Sequence, residues 1–186
     1  MKNNIFRIFF LLTAGFLGVI LTGCQSKGSG ERNLSISFVM NEREEYPRSD
    51  QLVIWLEKPD GTFVKTLFVS EYLSYGGYND PEICPDWSSN TNWEAVSEAE
   101  FDAVTGATPK VGIVRMEVVL PKEEVPRGEY ILFAEVHLTA DYNELHMGKI
   151  RVKRRDATSQ LEVSYRPERY HAATYDILSE FSVNVQ

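Results

Sequence analysis

Short segments in which apolar and polar residues alternate constrain the fold of this chain more than any other feature. Apolar side chains occupy every second position over residues 34–40, which predicts a strand at 33–40 with one buried face. Two further apolar runs, 52–56 and 63–69, flank Lys58-Pro59-Asp60-Gly61, and Pro-Asp-Gly is a strong turn signal. These segments predict one strand followed by a β-hairpin, as in antiparallel sheets.

The second half of the sequence continues this pattern. Five more strands are predicted, at 112–120, 129–139, 148–153, 160–165 and 174–185. About eight short strands without regular strand–helix alternation predict a mainly β fold, an antiparallel β-sandwich. The stretch Val125-Pro126-Arg127-Gly128-Glu129-Tyr130-Ile131-Leu132-Phe133 resembles a turn in immunoglobulin modules of the flagellar hook cap type, which implies an immunoglobulin-like sandwich. Tyr130 either bonds the backbone across a corner or is a plain core tyrosine.

One short helix and one long loop interrupt the strands. Ser97 and Glu100 form a capping box that starts a helix through about Val104, and Gly106 is a natural C-cap for it. Residues 71–93 show no clear period, so they predict a long loop. Its aromatic residues predict that the loop is ordered. They are Tyr72, Tyr75, Tyr78, Trp87 and Trp93.

The first residues predict export and lipidation. Lys2 and Arg7 form a basic region before an uncharged apolar stretch at 8–21, which is typical of a signal peptide. Leu21-Thr22-Gly23-Cys24 resembles the lipobox of bacterial lipoproteins, which implies cleavage before Cys24 and lipid on its thiol. The resulting division is a signal peptide (1–23), a flexible lipidated tether (24–32) and a single β-sandwich domain (33–186). Gln25, in place of the aspartate that favours inner-membrane retention, slightly favours the outer membrane.

Charge and cysteine content exclude some functions. The full chain has 19 Lys and Arg against 27 Asp and Glu. The signal peptide holds two basic residues and no acidic one, so the mature chain carries a net charge of −10. Nucleic acid is therefore a poor partner. With Cys24 lipidated, Cys84 has no cysteine to pair with, and it is predicted to be a buried small residue.

The segment Asp102-Ala103-Val104-Thr105-Gly106-Ala107-Thr108 is the most specific local pattern. It resembles the Asp-x-x-Ser/Thr-Gly-Ala-Thr motif of exported proteins that receive covalent FMN from a FAD:protein FMN transferase. The resemblance implies that Thr108 is the attachment residue, with Asp102, Thr105, Gly106 and Ala107 completing the motif. The aromatic loop, with Tyr78 and Trp87, would then shield the flavin ring. The alternative is a plain helix C-cap with Gly106 in the left-handed conformation.

A wider resemblance covers nearly the whole mature domain. The blocks that carry it are Gln51 with the strand that follows, Phe63 to Leu67, Gly76-Gly77-Tyr78, Pro85-Asp86-Trp87, Asp102 to Lys110 and Gly128-Glu129-Tyr130. They resemble domain of unknown function family 2271, predicted periplasmic proteins. That resemblance implies a redox setting, with a flavin transferase and membrane redox proteins as partners.

Two functional hypotheses follow. The first is a non-enzymatic, lipid-anchored module of extracytoplasmic redox metabolism, with covalent FMN on Thr108. The second is a binding or structural lipoprotein without a cofactor, in which residues 71–93 and 102–110 form an interaction surface. His137 and His146 could face each other across a hairpin as metal ligands, but no third ligand has suitable spacing, so no metal site is predicted. No catalytic constellation is present in the sequence.

Overall fold

The computed structural model describes residues 32–42, 49–139, 142–153, 157–160, 162–166 and 176–185. The predicted signal peptide, Cys24 and almost all of the tether lie outside the described residues, as does the start of the predicted last strand at 174–175. None of the helices in the described ranges is long and apolar enough to cross a membrane.

The described residues form a mainly β fold of two sheets. The first sheet has the order β5 (Gly112–Leu120), β1 (Arg32–Met40), β10 (Leu178–Val185), β8 (Ala157–Gln160). The second has the order β4 (Thr105–Gly106), β3 (Phe63–Ser70), β2 (Gln51–Glu57), β6 (Gly128–Thr139), β7 (Tyr142–Val152), β9 (Glu162–Arg166). All neighbouring strands are antiparallel except β3 and β4, which are parallel.

Most of the predicted strands are confirmed, but three predictions were wrong in extent. The predicted last strand, 174–185, begins only at Leu178 as β10. The predicted strand at 148–153 is the second half of β7, whose first half contains the buried polar residues Asn143, Glu144 and His146. The predicted strand at 160–165 is two strands, because the chain leaves the first sheet after Gln160 and pairs with β7 in the second sheet from Glu162. The hairpin of β2 and β3 is confirmed, and Gly61 in its turn has φ +83°.

The main core lies between the two sheets. Alternate residues of β1, including Leu34, Ile36 and Phe38, join one apolar cluster with residues of β2, β6, β7 and β10. Tyr130 belongs to this cluster, and its hydroxyl also donates a hydrogen bond to the Pro126 carbonyl oxygen at 2.7 Å. Tyr130 is therefore a core residue that also bonds the backbone, and not a plain core tyrosine.

A second apolar cluster covers the outer face of the second sheet. It joins Val53 and Trp55 of β2 to Trp87 and Trp93 from the segment after β3. With an apolar cluster on each face, every residue of β2 is buried. This explains why β2 reads as a continuous apolar run and not as an alternating one.

The prediction of a loop at 71–93 was wrong in detail. The segment contains α1 (Glu71–Ser74), α2 (Pro85–Asn90) and 3₁₀ turns at Gly77–Asn79 and Trp93–Ala95. Each piece is too short to show a helical period in the sequence, and short helices depend on tertiary packing for their stability. Here that packing is supplied by Leu73, Trp87 and Trp93 in the second cluster.

The helix predicted at Ser97 is confirmed as α3 (Glu98–Val104), and the Ser97 hydroxyl accepts the Glu100 N–H at 3.2 Å. The predicted left-handed C-cap at Gly106 was wrong. The capping residue is Thr105 in an extended conformation, and Gly106 pairs with Ser70 as part of β4. A Cβ on Gly106 would lie 2.7 Å from Cε2 of Phe68. Gly106 is needed for this close approach and not for a positive φ.

Candidate functional site

The flavin-like motif spans three structural elements. Asp102 is exposed on α3, Thr105 and Gly106 form β4, and Ala107 and Thr108 lie in the connection from β4 to β5. The chain crosses in this connection from the edge of the second sheet to the edge of the first. The acceptor residue implied by the resemblance is therefore located between the two sheets at one side of the domain.

The Thr108 hydroxyl is weakly held. Thr108 is half-buried beside the exposed Ala107, and its Oγ1 lies 3.4 Å from Nε2 of Gln51. That distance is beyond the usual range for an N–H···O hydrogen bond. The same Gln51 amide nitrogen donates to the Ser49 carbonyl oxygen at 3.0 Å. Thr105 differs, because its Oγ1 is fully buried and has no hydrogen-bond partner among the residues that the structure describes. Both threonines are half-buried residues, and they differ in that the Thr108 hydroxyl has the long contact with Gln51.

The aromatic residues near this segment divide into buried and exposed ones. Trp87 is fully buried, and its Nε1 donates to Thr66 Oγ1 at 3.0 Å, so its ring is not available to a group at the surface. Tyr78 is half-buried against the same cluster. Tyr72 is 60% exposed and Tyr75 is 72% exposed. Tyr72 lies in α1 and Tyr75 directly follows it, and α1 packs against β4. The rings of these two tyrosines are therefore available for contact with a group bound nearby.

Cys84 lies in a buried polar cluster beneath α2. The Cys84 N–H donates to Asn143 Oδ1 at 3.0 Å, and the Glu135 carboxylate accepts the N–H groups of Asp86 and Trp87 at 3.3 and 3.0 Å. Burial raises the pKa of the Cys84 thiol well above its ordinary value of 9.0, and the Glu135 and Asp86 carboxylates raise it further. Cys84 is thus the inert buried residue that was predicted. The cluster holds the helical layer on the sheet.

The hypothesis of a facing histidine pair was wrong. His137 is opposite Asn143 in the β6–β7 ladder, whereas His146 is opposite Ala134. His137 Nδ1 lies 3.1 Å from Asn143 Oδ1 on the outer face, while His146 stacks on Phe181 of the first sheet. The two rings therefore lie on opposite faces of the sheet. The described ranges contain no group of three residues that could hold a metal ion.

A groove of about 700 Å³, which no sequence pattern predicts, lies next to the motif. Its walls come from β3, α3 and β5, and its apolar lining includes Leu67, Phe68, Met116 and Val118. Lys65 contacts Glu124 at 2.5 Å at the rim. Cavities of this size accommodate small molecules or side chains of a partner. No sequence signal could reveal it, because three distant segments build it.

Comparison with known proteins identifies the family. No curated protein and no solved structure matches the chain. The family model described as "predicted periplasmic protein" of domain of unknown function family 2271 matches residues 31–170, which covers most of the chain. The chain therefore belongs to domain of unknown function family 2271, the family that its sequence blocks resemble.

Proposed function

We propose that this protein is a lipid-anchored, non-enzymatic module of extracytoplasmic redox metabolism that carries FMN covalently on Thr108. The weak contact of the Thr108 hydroxyl, at a half-buried position beside the exposed Ala107, is the observation that carries this proposal. Its contact with Gln51 is long, so little stabilisation from this contact is lost when the oxygen is esterified. The family's predicted periplasmic location fits the side of the membrane on which such transfer occurs. The lipid on Cys24 supplies the anchor.

The transfer reaction defines what Thr108 must do. Its Oγ1 attacks the flavin-side phosphorus of FAD, the new O–P bond replaces the bond to AMP, and AMP leaves. The hydroxyl proton passes to a base of the transferase. In-line approach of the pyrophosphate requires clearance around the acceptor. The exposed Ala107, which has only a methyl side chain, supplies that clearance on one side.

Exposed residues around Thr108 suit the attached group. Tyr72 lies in α1, which packs against β4, and Tyr75 directly follows α1; their exposed rings are the aromatic surface offered to a flavin ring. Lys110, two residues after the acceptor, is exposed and can offset the charge of the phosphodiester. When bound, the flavin supplies one- and two-electron redox chemistry. The protein's own contribution is to hold and orient the group outside the cell membrane.

The test is to export the full-length chain together with an active FAD:protein FMN transferase. We expect an intact mass increased by one FMN and fluorescence that survives denaturation. Thr108→Ala should abolish both signals, and Thr108→Ser should retain part of them. Thr105→Ala is the matched control, because Thr105 Oγ1 is buried, and it should reduce the signals less. A wild-type chain that gains no flavin mass beside an active transferase would refute the carrier proposal.

A second candidate function is a binding module without a cofactor. Phe101 of α3 packs on Tyr75 and Trp93, with ring centroids 5.0 and 5.8 Å apart. The aromatic segment and the helix before the motif therefore form one continuous surface, as an interaction site requires.

We also propose that the two-sheet core is immunoglobulin-like. The bond from Tyr130 to Pro126 supports this, because tyrosine corners of such folds make a similar bond.

A further inference from the structure

Strand β5 is an edge of the first sheet along its whole length. All nine of its residues pair with β1 in one unbroken register, from Arg32 opposite Leu120 to Met40 opposite Gly112. In the described part of the chain no strand pairs with its other side. The strand contains no proline and no bulge. Long regular edges of this kind are templates for pairing with another strand.

The outward face of β5 carries exposed aliphatic side chains. Ile113 is 66% exposed and Val119 is 50% exposed, and Val111 just before the strand is similarly exposed. These three are the majority of the five exposed large apolar residues among the described ones. Exposed aliphatic residues concentrated on one edge strand are typical of an interaction surface.

The sequence of β5 is self-complementary about Met116. When two copies of the strand run antiparallel with Met116 opposite Met116, Arg115 of each copy is opposite Glu117 of the other. In the same register, Val114 is opposite Val118 and Ile113 is opposite Val119. Directly opposite residues in an antiparallel pair have neighbouring side chains, and opposite charges or aliphatic residues there stabilise the pair. A two-fold interface requires this kind of self-complementarity.

We propose that the protein forms a homodimer through antiparallel pairing of β5 with β5 of a second copy, centred on Met116. The four-stranded sheet then continues across both copies. Arg115 is exposed and makes no ion pair with the described residues of its own chain, so it is available to the second copy. Glu117 accepts a hydrogen bond from Ser35 through Oε2 at 2.8 Å. This leaves Oε1 to accept from the arginine.

The groove beside β5 gives the incoming strand room on the inner face. Met116, Val118 and Phe68 line it beside charged residues such as Glu117, so the part of the groove next to the inner face of this edge is largely apolar. In the centred register, Met116 of one copy lies opposite Met116 of the other. Val118 of one copy lies opposite Val114 of the other, and these side chains point to the inner face. Aliphatic groups would therefore enter an apolar space, and burying them adds to the stability of the pair.

Cysteine cross-linking of the full-length chain in its membrane tests the register. Met116→Cys should yield a covalent dimer on oxidation, because opposite Cβ atoms lie about 5 Å apart. Val114→Cys alone should not, because the two copies of that residue are separated by four strand positions, roughly 13 Å. The double variant Val114→Cys/Val118→Cys should cross-link again. Ile113→Cys/Val119→Cys repeats the test on the exposed face without changing the inner one. The buried Cys84 is a poor competitor.

A charge exchange tests the energetics. In purified full-length protein, Arg115→Glu or Glu117→Arg places like charges opposite each other at two positions, and each should weaken dimerisation by at least about tenfold. The double exchange Arg115→Glu/Glu117→Arg restores both pairs and should return the dissociation constant to near the wild-type value. Equal melting temperatures would establish that all variants are folded. The proposal is overturned by a monomeric wild type, by cross-linking of Val114→Cys alone as efficient as that of Met116→Cys, or by no recovery in the double exchange.

Discussion

Replacing Gly106 with alanine should destabilise the domain through one contact. The added methyl carbon would lie 2.7 Å from Cε2 of Phe68, well inside van der Waals distance, so the ring or the backbone of β4 must move. Forcing extra carbon into a packed site costs about 1–3 kcal/mol. Phe68 is half-buried and lines the groove, so its ring can move partly into open space. We therefore expect about 1 kcal/mol for Gly106→Ala and more for the larger Gly106→Val.

The assay is denaturant unfolding of the full-length protein, supported by thermal melting. For a domain of this size, 1 kcal/mol lowers the melting temperature by about 2–4 °C. A second substitution isolates the contact: in a Phe68→Leu background the shorter side chain removes the clashing atom. Gly106→Ala should then cost less than about 0.5 kcal/mol. The difference between the two backgrounds is the coupling energy of this pair.

Gly106→Asn distinguishes close approach from a left-handed cap. Asparagine tolerates the left-handed conformation, so a C-cap role would make this variant nearly neutral. The close approach makes it at least as destabilising as alanine, because asparagine has the same Cβ and a longer side chain. An unaltered stability of Gly106→Ala, or an identical cost in the Phe68→Leu background, would refute the reasoning.

Three further predictions concern other parts of the chain. Cys24→Ser should abolish incorporation of labelled palmitate, and unchanged labelling would contradict the lipoprotein prediction. Burial lowers the pKa of His137 below its ordinary value of 6.5. The unfolded state therefore binds a proton more readily, and stability falls as the pH drops below 6.5; His137→Gln should flatten that fall in pH-dependent unfolding. Thr66→Val leaves the buried Trp87 N–H without its acceptor and should cost about 1–3 kcal/mol, whereas Thr66→Ser should largely preserve the bond.

Features set by neighbouring residues could be predicted from the sequence. The alternation in β1 gives a strand with one buried face, and the Pro-Asp-Gly turn at Gly61 closes the hairpin of β2 and β3. The Ser97 cap needs only the N–H three residues later. In each case the interaction that forms the structure joins residues only a few positions apart, so the local sequence pattern is enough to predict it.

Features set by distant contacts could not be predicted. The first half of β7 was not predicted as a strand, because its polar residues Asn143 and Glu144 do not look buried in the sequence and are satisfied by remote partners. Asn143 binds the backbone at Cys84, and Glu144 accepts the Ile177 N–H at 2.6 Å. Gly106 was assigned a local role because Phe68, which requires it, is far away in sequence. For the candidate site, the sequence predicted only the motif. The groove beside it could not be predicted, because it forms where three segments that are distant in sequence come together.

The complete burial of β2 has a consequence for the chain before it folds. Residues 52–56 are an uncharged, strongly β-prone run without proline, which is the type of window that nucleates aggregation. In the native state β3 and β6 occupy both edges of this strand, and the two apolar clusters cover both faces. In the chain, β2 precedes residues 71–104 and 128–139, which supply the outer cover and the second edge. Until these residues have folded onto β2, its apolar run is exposed, and early folding of the helical layer shortens the time during which it can aggregate.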